Sequence, residues 1–118
     1  MTNAKDPQNQ LAPAEPMALA DAVQYAPGSI VSRTLLKTDS GTLTLFAFDE
    51  GQGLSEHTAP FDALVQVLDG TATLSIGGKA VVAKAGELVF MPASVPHAVV
   101  TAGRFKMLLT MFRSGAKA

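Results

Sequence analysis

Cysteine and tryptophan are absent from the 118 residues, tyrosine occurs once, and histidine occurs only twice. The lack of cysteine excludes disulfides and thiolate-held metal together. Charge is also scarce: charged residues make up 16% of the chain, and nine Lys plus Arg against ten Asp plus Glu leave a formal net charge of −1. There is no basic patch and none of the spacings of a nucleic-acid reader, so nucleic acid is not an expected partner. No continuous apolar run approaches the roughly 20 residues that span a bilayer. The opening MTNAKDPQNQLAPAEP has no basic stretch followed by an apolar run, the mark of a secretory signal. The expectation is a soluble cytoplasmic protein with no membrane partner.

What the chain does have is apolar residues, at 47%. A length of this order suits one domain, which buries roughly two-thirds of its unfolded surface. Residues 1–16 hold three of the seven prolines among Asn, Gln and Ala. Such a stretch forms neither helix nor sheet interior and reads as an arm. The following MALADAVQYAP contains good helix formers and is stopped by Pro27, which allows one short helical turn. The expected organisation is a partly mobile N-terminal arm over 1–27, one barrel over 28–113 and a tail over 114–118.

From Gly28 onward the pattern has a period of two. In Thr71-Ala72-Thr73-Leu74-Ser75-Ile76 apolar residues alternate with hydroxyls, as in a half-buried strand. Phe105, Met107, Leu109 and Met111 share one face, opposite Lys106, Leu108, Thr110 and Phe112. Both faces are largely apolar, so that strand is expected between two layers or at a subunit interface. Residues 42–48 behave similarly. Breaks are expected at Asp39-Ser40-Gly41, Gly51-Gln52-Gly53, Asp69-Gly70, Gly77-Gly78, Ala85-Gly86 and Ala102-Gly103. Gly77-Gly78, between two apolar runs, suits a two-residue hairpin. Many short strands with glycine turns point to an all-β sandwich or barrel with antiparallel strands.

Two segments carry a resemblance. GQGLSEHTAPFDALVQVLDG, residues 51–70, resembles the first motif of the cupin superfamily, G-x5-H-x-H-x3–4-E-x6-G. Gly51, His57 and Gly70 match, while Ala59 and Ala63 stand where the second His and the Glu belong. GELVFMPASVPHAVVT, residues 86–101, resembles the second motif, G-x5-P-x-G-x2-H-x3-N. Here Gly86, Pro92 and His97 match, while Ser94 replaces Gly and Thr101 replaces Asn. The resemblance covers about residues 28–113. It implies a small antiparallel double-stranded β-helix, the jelly-roll barrel of cupins, and commonly a twofold dimer. It implies no single chemistry, because cupins include dioxygenases, isomerases, epimerases, lyases, sugar binders and sensory domains.

In metal-containing cupins three His and one Glu hold iron, manganese, nickel or another divalent ion such as zinc. Here the resemblance leaves His57 and His97 as metal ligands. Asp62 is the nearest carboxylate that could serve as a third, but strand parity sends it to the opposite face unless a bulge intervenes. Small residues in place of ligands imply an apolar barrel cavity. The expected ligand-contacting residues are His57, Phe61, Met91, His97, Thr101 and Met107. Three readings remain open at this stage: a small, largely apolar molecule oriented by the histidines, a reduced metal site in a dioxygenase- or isomerase-type enzyme, or a sensory or storage-like module that acts through its oligomer. A homodimer is expected in all three cases, because strands with two apolar faces need outer cover.

Overall fold

A computed structural model describes residues 10–100 and 103–113. Eight antiparallel strands account for most of them: β1 (Ile30–Lys37), β2 (Gly41–Phe48), β3 (Leu54–His57), β4 (Phe61–Ile76), β5 (Lys79–Lys84), β6 (Leu88–Met91), β7 (His97–Val100) and β8 (Phe105–Arg113). The short helical turn expected before Pro27 is a single turn of 3₁₀ helix, Leu19–Asp21. Among the described residues no helix is long and apolar enough to cross a membrane.

Strand β4 organises the architecture. Its first half pairs with β8 and β6, and its second half pairs with β5 and β7. One sheet therefore runs β1-β2-β8-β4-β6, and the other runs β3-β7-β4-β5. The Asp69-Gly70 pair, expected as a break, lies inside this single strand. The β4–β8 register shifts between Val67 and Asp69, and Gly70 takes φ +74°. A side chain at Gly70 would run into the carbonyl of Arg104. The glycine thus permits a bulge that bends one strand from sheet to sheet. Gly77-Gly78 does form the expected two-residue hairpin, with Ile76 opposite Lys79 and φ of 57° and 81°. Positive φ at both central residues matches the twist of the flanking strands.

Alternation along the strands builds the barrel core. Phe48, Val65, Val67, Leu74, Phe105 and Met107 are buried inside it. Phe48 and Phe105 stack with ring centroids 4.5 Å apart and planes 7° apart.

A second cluster explains the two apolar faces of β8. Leu45 and Ala47 point away from the barrel interior and pack with Leu35, Val23 and Leu108. Leu11, Met17, Leu19, Ala22 and Tyr25 of the N-terminal segment lie against this cluster. Residues 10–27 therefore supply part of the outer cover that the expectation of a dimer assigned to a partner chain. Residues 1–9 of the expected arm and the tail at 114–118 lie outside the described residues.

Candidate functional site

The two histidines meet as a cross-strand pair. His57 ends β3, His97 opens β7, and the two are register partners. Their ring centroids are 4.4 Å apart and the rings cross at 70°. The loops leading to them are tied together. Ser94 N–H donates to the Ala59 carbonyl at 2.8 Å, and Gly77 N–H donates to the Pro96 carbonyl at 2.7 Å. Ser94, which stands where the second motif has glycine, keeps a glycine-like φ of +65°.

Each imidazole is also held by the backbone behind it. His57 Nδ1 lies 2.8 Å from the Ser55 carbonyl oxygen, and His97 Nδ1 lies 3.1 Å from that of Val95. A carbonyl only accepts, so each neutral ring carries its proton on Nδ1 and keeps a lone pair on Nε2. His57 is exposed at the rim and His97 is half-buried. Between them opens a cavity of about 50 Å³, whose other walls include Leu54, Val65, Leu74, Met91 and Met107. Met91 and Met107 are both buried. Among the described residues that line it, the imidazoles are the only polar side chains, and the rest are aliphatic, aromatic or thioether.

His57, His97, Met91 and Met107 thus line one cavity. Phe61 is not among them. It shares the inward parity but lies farther along β4, beside a separate depression of about 290 Å³ with Lys37, Thr42, Met111 and Arg113. Thr101 lies outside the described residues.

Asp62 does not join the histidines. It pairs with Phe112, on the face opposite Ala63 and Met111, and its Oδ1 accepts the Ala93 N–H at 2.9 Å. No bulge resets the parity at this point, and the carboxylate serves the β6–β7 loop. Ala63 is buried in the core opposite Met91. Among the described residues no three His, Cys, Asp or Glu side chains gather as a metal-binding group. The donor set does not fit the three-His, one-Glu coordination of a hard divalent ion.

Sequence reasoning missed a second polar cluster, outside the barrel. Tyr25 donates its hydroxyl to Asp69 at 2.5 Å, and Arg104 pairs with Asp49 at 2.9 Å. The cationic groups of Arg104 and Lys106 each lie 5.1 Å from the Tyr25 ring centroid. Lys106 Nζ also donates to the Ala20 carbonyl at 2.6 Å, which compensates the near-complete burial of its side chain. Burial, and then the Asp69 carboxylate, push the Tyr25 hydroxyl well above its ordinary range. The Gly28 N–H and then Arg104 hold the Asp49 carboxyl below its ordinary range. These partners are far apart in sequence, so no local signal announces them. Together they fasten the N-terminal segment to the bend of β4.

The comparisons agree with this geometry. The family model for the cupin domain matches residues 44–112. The chain belongs to the cupin superfamily. Solved structures resemble it over 80–98% of its length. A conserved protein of unknown function, SPY1581 from Streptococcus pyogenes, is 30% identical, with a TM-score of 0.85 and 98% of each chain covered. A Cupin 2 conserved barrel domain protein from Leptotrichia buccalis is 42% identical, with a TM-score of 0.78. That match covers 80% of this chain and 46% of the other, so this cupin spans under half of that relative. A cupin superfamily protein from Desulfitobacterium hafniense is 26% identical, with a TM-score of 0.82 and 91% and 98% coverage. No curated protein matches the sequence.

Proposed function

We propose that this cupin binds a small, largely apolar molecule in its barrel, with His57 and His97 as the polar contacts. The observation that carries the reading is a pair of imidazoles, each committed through Nδ1 to a backbone carbonyl, on the wall of an otherwise apolar cavity. Such a site accepts hydrogen bonds from a hydroxyl or amine and buries the carbon skeleton beside it. A cavity of about 50 Å³ is far below the roughly 300 Å³ where ordinary ligand sites begin. The occupant therefore has few heavy atoms, or inserts one end of a longer molecule past the exposed His57. Met91 and Met107 line the apolar part, while Phe61 would touch only a ligand that reached the neighbouring depression.

The alternative is a metal-dependent dioxygenase- or isomerase-type cupin holding iron, manganese, nickel or zinc through His57 and His97. Its support is the orientation of the rings, since a ligating imidazole usually donates its other nitrogen to a carbonyl or carboxylate. Asp62, engaged with the Ala93 N–H, is not free to complete that set. The deciding experiment is a fragment screen by NMR on ¹⁵N-histidine-labelled protein, run beside metal analysis after expression with added iron, manganese and zinc. Fragments that shift both Nε2 resonances in metal-free protein support the first reading. Near one divalent ion per chain, lost in the His57→Ala, His97→Ala variant, would replace it with the second.

The same proposal includes a cytoplasmic homodimer. What supports the dimer is the apolar surface the N-terminal segment leaves uncovered, chiefly Leu88, Phe90 and Phe112.

A further inference from the structure

Four strand ends meet at the separate depression of about 290 Å³. Lys37 closes β1, Thr42 is second in β2, Arg113 closes β8 and Phe61 opens β4. Register partners across antiparallel strands project to the same face. Lys37 pairs with Thr42, Thr42 with Met111, and Met111 with the buried Ala63, so this row shares the inner face of the barrel. Arg113 pairs with Phe61 one step farther out on that face. From this arrangement we infer that the depression binds a small organic carboxylate. Lys37, Arg113 and Thr42 hold its anionic group, and its carbon body lies on Phe61 and Met111. The site is distinct from the histidine cavity, and the inference does not rest on what that cavity binds.

Three observations select this ligand. The first is uncompensated charge. Among the described residues the one ion pair is Arg104 with Asp49, so neither Lys37 nor Arg113 is paired with a carboxylate. Asp39 also lines the depression, and two cations against one carboxylate leave a single positive charge there. A monoanion balances it, whereas a phosphate monoester, with nearly two negative charges, overshoots. The second is Thr42, whose Oγ1 is buried and has no hydrogen-bond partner among the described residues. An unpaired buried hydroxyl is costly, and a carboxylate oxygen beside Lys37 would accept its proton. The third is a wall already in place. Arg113 donates through Nε to the Asp39 carbonyl at 2.8 Å and through its backbone N–H to the Ser40 carbonyl at 3.1 Å. A guanidinium anchored through Nε keeps both Nη groups, whose N–H bonds match the two oxygens of a carboxylate. Holding the arginine beforehand reduces the entropy lost when a ligand binds. The volume lies at the roughly 300 Å³ where ordinary ligand sites begin, which suits an acid with one ring or a short chain.

The test is a titration of benzoate, with benzamide and phenyl phosphate as comparisons, into protein carrying ¹³C in its methionine methyl groups. The ring current of bound benzoate should shift the Met111 methyl signal saturably. The methyls of Met91 and Met107, which line the histidine cavity, should stay in place. Benzamide keeps the shape and loses the charge, so it should bind roughly tenfold or more weakly. Phenyl phosphate should bind no tighter than benzoate. Arg113→Gln, on an exposed side chain, should weaken benzoate roughly tenfold, and Arg113→Lys should recover only part of the loss because the fork is gone. Thr42→Val keeps the side-chain shape and should also weaken benzoate roughly tenfold, with the methyl spectrum of the ligand-free protein retained. A shift confined to Met91 and Met107, no saturable shift at Met111, or equal binding of benzamide would overturn the inference. So would an affinity unchanged by both Arg113→Gln and Thr42→Val. Phenyl phosphate binding tighter than benzoate would overturn the carboxylate assignment. Met111 reports this depression and the ¹⁵N-histidine signals report the other cavity, so failure at one site leaves the reading of the other standing.

Discussion

His57 and His97 face each other across the β3–β7 pair, and each is anchored through Nδ1 to the carbonyl two residues before it. The anchors turn two residues that motif spacing merely aligns into a defined chemical unit, a pair of held imidazoles on the wall of one small cavity. The resulting expectation is direct. At a pH where both rings are neutral, long-range ¹⁵N spectra should show the Nδ1–H tautomer for both histidines. A dominant Nε2–H form at His97 would remove the donor geometry on which the site rests.

Glycine at the bend of β4 is required on two counts, and the two can be separated. Gly70 has φ +74° and no space for a Cβ, whereas Gly51 has φ +82° and open space around it. Gly51→Ala should cost about 1–2 kcal/mol for the left-handed backbone alone. Gly70→Ala should cost clearly more, because the Arg104 backbone must also move. Urea midpoints at unchanged m-value measure both. Equal losses would mean that the bend accommodates a side chain.

Ser94 presents the reverse case. A serine held at φ +65° carries the strain that glycine avoids. Ser94→Gly should raise stability by about 1 kcal/mol, less the extra flexibility of the unfolded chain. A loss of stability instead would show that the serine side chain does something its backbone angle does not reveal.

The clasp around Tyr25 makes a prediction about alkaline pH. Its hydroxyl is held above the ordinary value of 10.0 by burial and then by Asp69. The folded state therefore keeps this proton more tightly than the unfolded chain does. The stability from this difference is complete below about pH 10 and is lost as pH rises above it. Tyr25→Phe should lower stability at neutral pH by about 1 kcal/mol, the net worth of one hydrogen bond. It should also flatten the alkaline limb of stability against pH. A limb identical in the variant would assign the alkaline loss to lysines instead.

Much of this was legible in the sequence, for reasons that also explain what was not. Period-two alternation over residues 71–76 of β4 reports which face is buried, and a Gly-Gly pair between apolar runs has essentially one use. Asp69-Gly70 misled because a turn and a glycine bulge share the same local signature. Only pairing with β8 on one side and β7 on the other distinguishes them. The packing of residues 10–27 was hidden because Leu11, Met17, Leu19 and Val23 follow no regular period. At the site, parity turned Asp62 away from the histidines, and it lies on the face opposite Ala63. Phe61 shares the inward parity yet lines a different depression, because parity says which side of a sheet a residue faces and not how far along the barrel it lies.

The last prediction concerns the surface that the clasped segment leaves bare. Leu88 and Phe90 alternate on β6 with Val89 and Met91, which turn inward, so both outward side chains stand on the edge strand of their sheet. They are 60% and 54% exposed, and Phe112 of β8 is 37% exposed. An edge strand with bare backbone groups and large apolar side chains invites pairing unless something covers it. A second copy is the proposed cover. Light scattering of the parent at micromolar concentration should then give the mass of two chains. Phe90→Glu with Leu88→Lys should give the mass of one, with the near-ultraviolet spectrum of the folded barrel retained. A parent that is monomeric at that concentration rejects the dimer. A folded variant that stays dimeric moves the interface elsewhere, to a face that does not include β6.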